Sequence, residues 1–155
     1  MKVAILAGGM GSRLSEETEL VPKPMLPIGD RPILWHILKH FDRFGHREFC
    51  LALGYKSEYV KRYFVDYQTL GRSFSLGLRA GTMTPQAGEI EDWTLHLLDT
   101  GLKTNTGGRL RRMAPYLSEG PFFFTYGDGV ANVNLEALLA HHRRCGKQAT
   151  LTAVR

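Results

Sequence analysis

The chain has 155 residues, 43% of them hydrophobic and 23% charged, with a formal net charge of +5. That length suits one domain able to bury about two-thirds of its unfolded surface, and the composition excludes a disordered or low-complexity chain. No apolar run approaches a membrane span, the first residues carry no signal-peptide pattern, and two cysteines, Cys50 and Cys145, make no disulfide framework, so a reducing, cytoplasmic compartment is expected.

The apolar run Val3-Ala4-Ile5-Leu6 predicts a short buried strand over residues 2–7, and a glycine-rich turn follows at once. Pro32 opens a helix to about residue 44, with Ile33, Ile37, Leu38 and Phe41 at helical spacing. Residues 48–53 predict a second strand, and Ser57 caps a helix to about residue 67. An edge strand is expected around residues 73–79, then a loop. Residues 93–98 alternate as a half-buried strand does. Residues 107–116 look helical, ended by Pro115, and residues 121–125 form a buried strand with three phenylalanines. Asn134 caps the next helix, with Val133 and Leu138 placed as a hydrophobic staple and Gly146 as its left-handed stop. Residues 148–154 predict a last strand. The alternation of strands and helices predicts an α/β fold with layers packed on a central sheet.

Chemistry concentrates at a few places. In Leu6-Ala7-Gly8-Gly9-Met10-Gly11-Ser12-Arg13-Leu14, three glycines in four positions remove the Cβ atoms that would hold a phosphate off the backbone. Backbone N–H groups in such a turn can converge on an anion. Arg13 adds a planar fork and Lys23, between Pro22 and Pro24, a compact charge on a stiff, extended segment. The P-loop is excluded, because the only Gly-Lys, Gly146-Lys147, is followed by Gln148. The dinucleotide motif is excluded because Leu14 stands where a small residue must pack. Asp128, between Gly127 and Gly129 at a strand end, suits either Mg²⁺ binding or a hairpin turn; beside the glycine loop, the metal is the better reading. Thr106-Gly107-Gly108-Arg109 repeats the pattern of a glycine turn opening a helix, and reads equally well as an anion site or an ordinary junction. His36 and His40 share a helix face without a third ligand and are assigned to packing or surface. No nucleophile elbow occurs.

The glycine turn and Lys23-Pro24-Met25 resemble the signature of sugar-nucleotidyltransferases. With Ser15-Glu16-Glu17-Thr18, Ile33-Leu34-Trp35-His36-Ile37, Gly54-Tyr55-Lys56, Thr106-Gly107-Gly108-Arg109 and Thr125-Tyr126-Gly127-Asp128-Gly129, the chain is similar to the glucose-1-phosphate cytidylyltransferases within that family. The resemblance implies a three-layer, Rossmann-like fold with a mainly parallel sheet. It implies CTP and glucose 1-phosphate as substrates, Mg²⁺ on Asp128 as cofactor, and a homo-oligomer. It places nucleotide contacts at Leu6, Ala7, Gly8, Gly9, Met10, Gly11, Ser12, Arg13, Lys23, Thr104 and Arg109, with Arg13, Lys23 and Asp128 as the catalytic set. The family continues beyond residue 155, so residues 1–155 correspond to its nucleotide-binding part, truncated at the C-terminus, and the sugar-binding part is expected to be absent.

Two other classes compete. An inactive nucleotide-binding half-domain follows if 155 residues are the whole product. A nucleic-acid binder is raised by a sequence pI of about 9.4, but the basic residues are scattered and the aromatic ones fall at core spacing, so neither nucleic acid nor membrane is expected as a partner.

Overall fold

A computed structural model of the chain describes residues 1–9, 20–86, 88 and 90–153. The predicted α/β architecture is present. Four strands, β1 (Val3–Leu6), β4 (Glu48–Leu53), β7 (Thr94–Asp99) and β8 (Phe123–Tyr126), form one sheet in the order β7-β4-β1-β8, and the two-residue strands β2 (Pro27–Ile28) and β3 (Arg31–Pro32) pair antiparallel apart from it. Every pairing in it is parallel: Val3 lies beside Phe49 on one side and Phe123 on the other, and Glu48 beside Thr94.

Successive residues of a strand face opposite sides, and β1 and β4 are apolar on both. Val3, Ile5, Phe49, Leu51 and Leu53 join one core with helices α1 (Ile33–Asp42) and α2 (Ser57–Leu70) and with Leu135 of α4 (Leu135–Cys145). Ala4, Cys50 and Ala52 join a second core with Met113 and Leu117 of α3 (Thr106–Leu117). The sheet is therefore the middle of three layers. Continuous apolar runs, rather than alternation, are what a doubly covered parallel sheet requires.

Several expectations change in detail. Ser57 begins α2 without capping it; the cap position is Lys56, in the left-handed region at φ 49°. Pro115 lies inside α3, which runs two residues further because Leu117 is buried beyond it. Of the three phenylalanines, only Phe123 is buried; Phe124 is 39% exposed on the opposite face of β8. The expected edge strand near residue 75 is β5 (Phe74–Gly77). It pairs antiparallel with β6 (Thr82–Pro85), where a loop was expected, and makes a separate hairpin. Residues 148–153, the described part of the expected last strand, carry no strand hydrogen bonding. A strand forms only against a partner edge, and local propensity cannot supply one.

Candidate active site

The strand order fixes where a ligand can sit. The chain leaves β1 toward β4 on one side, while β8 lies on the other, so the order reverses between β1 and β8. In open parallel sheets the crevice for ligands lies at the carboxyl ends of the strands at such a reversal. Gly8-Gly9 follows β1 there, and Gly127-Asp128 follows β8. Gly127 donates its N–H to Leu6 O at 2.9 Å and continues the ladder to the mouth of the crevice.

Lys23 bridges the two strand ends. Its Nζ donates to Asp128 Oδ2 at 2.7 Å, and the two side chains are 35% and 39% exposed. Lys23 belongs to a 3₁₀ turn, Lys23–Met25, and is not extended as expected. Met25 N–H closes that turn on Pro22 O at 2.7 Å, and Pro24, which has no N–H to lose, fits inside it. Pro22, Pro24 and Met25 are buried. The backbone under Lys23 is thus anchored, while its charge faces the crevice. The hairpin alternative for Asp128 does not hold, since β8 pairs in parallel with β1.

The loop residues divide by exposure. Ala7 donates its N–H to Ala52 O and Leu6 O accepts from Gly127, so this part of the motif belongs to the sheet. Gly8 is buried and Gly9 exposed, with nothing within 4 Å of where a Cβ would stand on Gly9. Gly9 is the described residue at which a phosphate could approach bare backbone. Met10, Gly11, Ser12 and Arg13 lie outside the described residues.

Thr104 and Arg109 are engaged within the protein. Thr104 Oγ1 accepts from Arg112 Nη1 at 2.9 Å. Arg109 does not present its guanidinium to the crevice: it is only 4% exposed, and its Nη1 and Nη2 donate to Leu53 O, Thr100 Oγ1, Gly8 O and Leu102 O. Burial, with Arg112 close by, pushes its pKa below the ordinary value. Sequence reasoning missed Thr100, whose buried hydroxyl donates to Leu53 O at 2.7 Å; a single threonine after a strand carries no pattern to find it by. Lys56, named in the sequence only within Gly54-Tyr55-Lys56, has left-handed backbone and donates from Nζ to Leu20 O at 3.0 Å.

His36 Nε2 pairs with Ile28 O, His40 packs its ring on Phe41 and Phe44, and no cluster of three metal-ligating side chains occurs among the described residues. Asp128 is still suited to a hard cation. Mg²⁺ takes one or two carboxylates and completes its shell with water and substrate phosphate, and Asp128 is an accessible carboxylate at the crevice mouth.

A parallel sheet whose order reverses where Gly8-Gly9 leaves the first strand, with a lysine–aspartate pair at the neighbouring strand end, defines an α/β protein with its ligand crevice at the carboxyl ends of the strands. The chain belongs to the nucleotidyl transferase family, whose sequence profile matches residues 2–155. It is 45% identical over 154 residues to the glucose-1-phosphate cytidylyltransferase of Salmonella typhimurium, covering 99% of this chain and 60% of that protein. It is 44% identical, with the same coverage, to the probable glucose-1-phosphate cytidylyltransferase of Bacillus subtilis. This chain thus spans about 60% of the length of these relatives. Among solved structures, HddC from Yersinia pseudotuberculosis superposes with a TM-score of 0.66 at 20% identity, over 91% of this chain and 53% of that one, a likeness of fold. No helix among the described residues is long and apolar enough to cross a membrane.

Proposed function

We propose that these residues form the nucleotide-binding part of an enzyme that transfers a cytidylyl group from CTP to glucose 1-phosphate, giving CDP-glucose and pyrophosphate. The carrying observation is the convergence of Gly9, Lys23 and Asp128 at the crevice between β1 and β8. The choice of CTP and glucose 1-phosphate rests on the two cytidylyltransferase relatives at 45% and 44% identity. A phosphate oxygen of the sugar phosphate attacks the α-phosphorus, a new P–O bond forms, and the bond to the β-phosphate oxygen breaks. Such a reaction asks the protein mainly for positioning and charge neutralisation.

In this reading the glycine turn, with Arg13 and the backbone of Met10, Gly11 and Ser12, cradles the triphosphate. Lys23 swings from Asp128 to the α-phosphate and neutralises charge developing there. Asp128 holds a divalent cation, which we take to be Mg²⁺; when bound it would polarise the phosphoryl group and orient both reactants. Thr104 lines the nucleotide side of the site. The sugar-binding part lies outside residues 1–155, and the whole protein works as a cytoplasmic homo-oligomer.

The test compares CTP, UTP, dTTP and GTP with glucose 1-phosphate by pyrophosphate release in a protein of the relatives' full length. CTP is expected to lead. A preference for UTP or dTTP would leave the reaction class and remove the cytidylyl assignment. Asp128→Asn should weaken nucleotide binding by calorimetry with Mg²⁺ present and leave binding without it nearly unchanged. Equal losses in both would make Asp128 structural.

A further inference from the structure

The turn after β7 is clamped by one arginine. Arg112 of α3 donates from Nη1 both to Thr100 O and to Thr104 Oγ1, the latter at 2.9 Å. Thr100 directly follows β7, so the clamp holds Thr104 at the carboxyl end of that strand, on the side of the sheet that carries the crevice. Two glycines make room for it. Gly101 has φ 86°, and a Cβ there would stand 2.5 Å from Arg112 Nη1 and 2.8 Å from Thr104 Oγ1; a Cβ on Gly108 would stand 2.8 Å from Thr104 Cγ2. Both branches of the Thr104 side chain are therefore held, the hydroxyl by Arg112 and Gly101 and the methyl by Gly108. Closing the turn asks for less, since the bond from Arg112 to Thr100 O already ties α3 to the end of β7.

A threonine hydroxyl has one hydrogen to donate and two lone pairs that accept. Here the guanidinium occupies a lone pair, and its charge turns the O–H dipole so that the hydrogen points away from Arg112. Thr104 thus offers a donor of set polarity. Such a donor distinguishes pyrimidines at one atom. N3 of cytosine is a bare acceptor, whereas N3 of uracil carries a hydrogen, and two donors facing each other leave both unpaired. The strand order supplies the reach. β7 stands two strands from β1, about 10 Å at the spacing of a sheet, a span comparable to that between the phosphate of a nucleotide and the far edge of its pyrimidine.

We propose that Arg112 is a positioning residue that determines base specificity: it fixes the Thr104 hydroxyl as a donor toward N3 of the base, and so favours CTP over UTP, without touching the nucleotide itself. The proposal rests on the nucleotide-binding reading above and gives its choice of base a physical cause in this chain.

The experiment measures by calorimetry the affinities of CTP, UTP and 3-deaza-CTP, in which a C–H replaces N3, for a protein of the relatives' full length and for its Arg112→Met, Thr104→Val and double variants. The parent should prefer CTP to both other nucleotides. Arg112→Met should lower both preferences roughly 5- to 10-fold, the worth of one hydrogen bond, chiefly by weakening CTP. Thr104→Val should do the same, and the double variant should lose no more than either single one, because both act through one hydroxyl. Equal weakening of all three nucleotides by Arg112→Met would make it a loop anchor and overturn the proposal, as would preferences that stay at the parent's. If Arg112→Met fails to fold, Thr104→Val decides alone: an unchanged preference for CTP over 3-deaza-CTP overturns it. A parent that binds CTP and UTP alike removes the cytidylyl reading and the proposal with it, whereas a parent that prefers CTP to UTP but not to 3-deaza-CTP removes only the proposal.

Discussion

Lys23 is held by its neighbours rather than by its own side chain. Pro22, Pro24 and Met25 are buried beneath it, and the Nζ contact to Asp128 is the reach of a partly exposed charge. Lys23→Ala should therefore leave the fold intact and cut turnover by roughly 10²–10³, the loss expected when a preorganised charge is removed from a site. Turnover beside a thermal melt checks it; near-normal activity in a folded variant would make Lys23 a surface residue. His46 makes a different point. Its ring packs 4.8 Å from that of Phe123, and its Nδ1 is buried without a hydrogen-bond partner among the described residues. Burial, helped by the N-terminal amine, lowers its pKa from the ordinary value. The unfolded chain then takes up a proton at higher pH than the folded one. Stability is fully present above about pH 6.5, the ordinary histidine value, and falls as pH drops through it. Urea melts at neutral and mildly acidic pH should show a smaller drop for His46→Leu than for the parent; equal drops would remove His46 as the cause. Both residues were visible in the sequence, but only Lys23 announced a role. Its flanking prolines are a local signal, whereas Phe123, the ring against which His46 packs, lies 77 positions away.

Helix α4 shows what local chemistry can specify. Asn134 Oδ1 accepts from Ala137 N–H at 2.9 Å, Val133 and Leu138 pack against the same core, and Gly146 ends the helix at φ 59°. Each device acts within a few residues, and each was legible beforehand. Asn134→Ala should cost about 1 kcal/mol, the usual value of an N-cap bond; a urea titration at neutral pH measures it, and a change below a few tenths would show the cap to be idle. Helix α3 and the β5–β6 hairpin show the limit. Pro115 is a helix breaker by its local geometry, yet burial of Met113 and Leu117 carries α3 through it. The same contest explains α2: Ser57 has the chemistry of a cap, but Lys56 occupies the cap position with left-handed backbone.

At the scale of the molecule, one sheet separates two cores of unequal size. Phe49, Leu51 and Leu53 are fully buried in the larger one. Leu51→Ala should destabilise by about 2–5 kcal/mol, for lost burial and the cavity left behind. Leu151→Ala, at a position 91% exposed, should stay within about 0.5 kcal/mol. Denaturant midpoints separate the two, and similar losses would contradict this account of the core. The sequence alone determined the strands and helices that carry their own signal: apolar runs for β1 and β4, the periodicity of α1, the caps of α4, and the glycine turn whose bare backbone suits phosphate. It also brought out Lys23 and Asp128 as charges worth following. Only the tertiary structure decided that these two, 105 positions apart, meet across β1 and β8, that residues 82–85 pair with β5, and that Arg109 points inward beneath Gly8. The physical reason is common to all three. Strand order and the direction of a long side chain are settled by which distant groups can bury their surface and satisfy their hydrogen bonds together, and no window of neighbouring residues contains both partners.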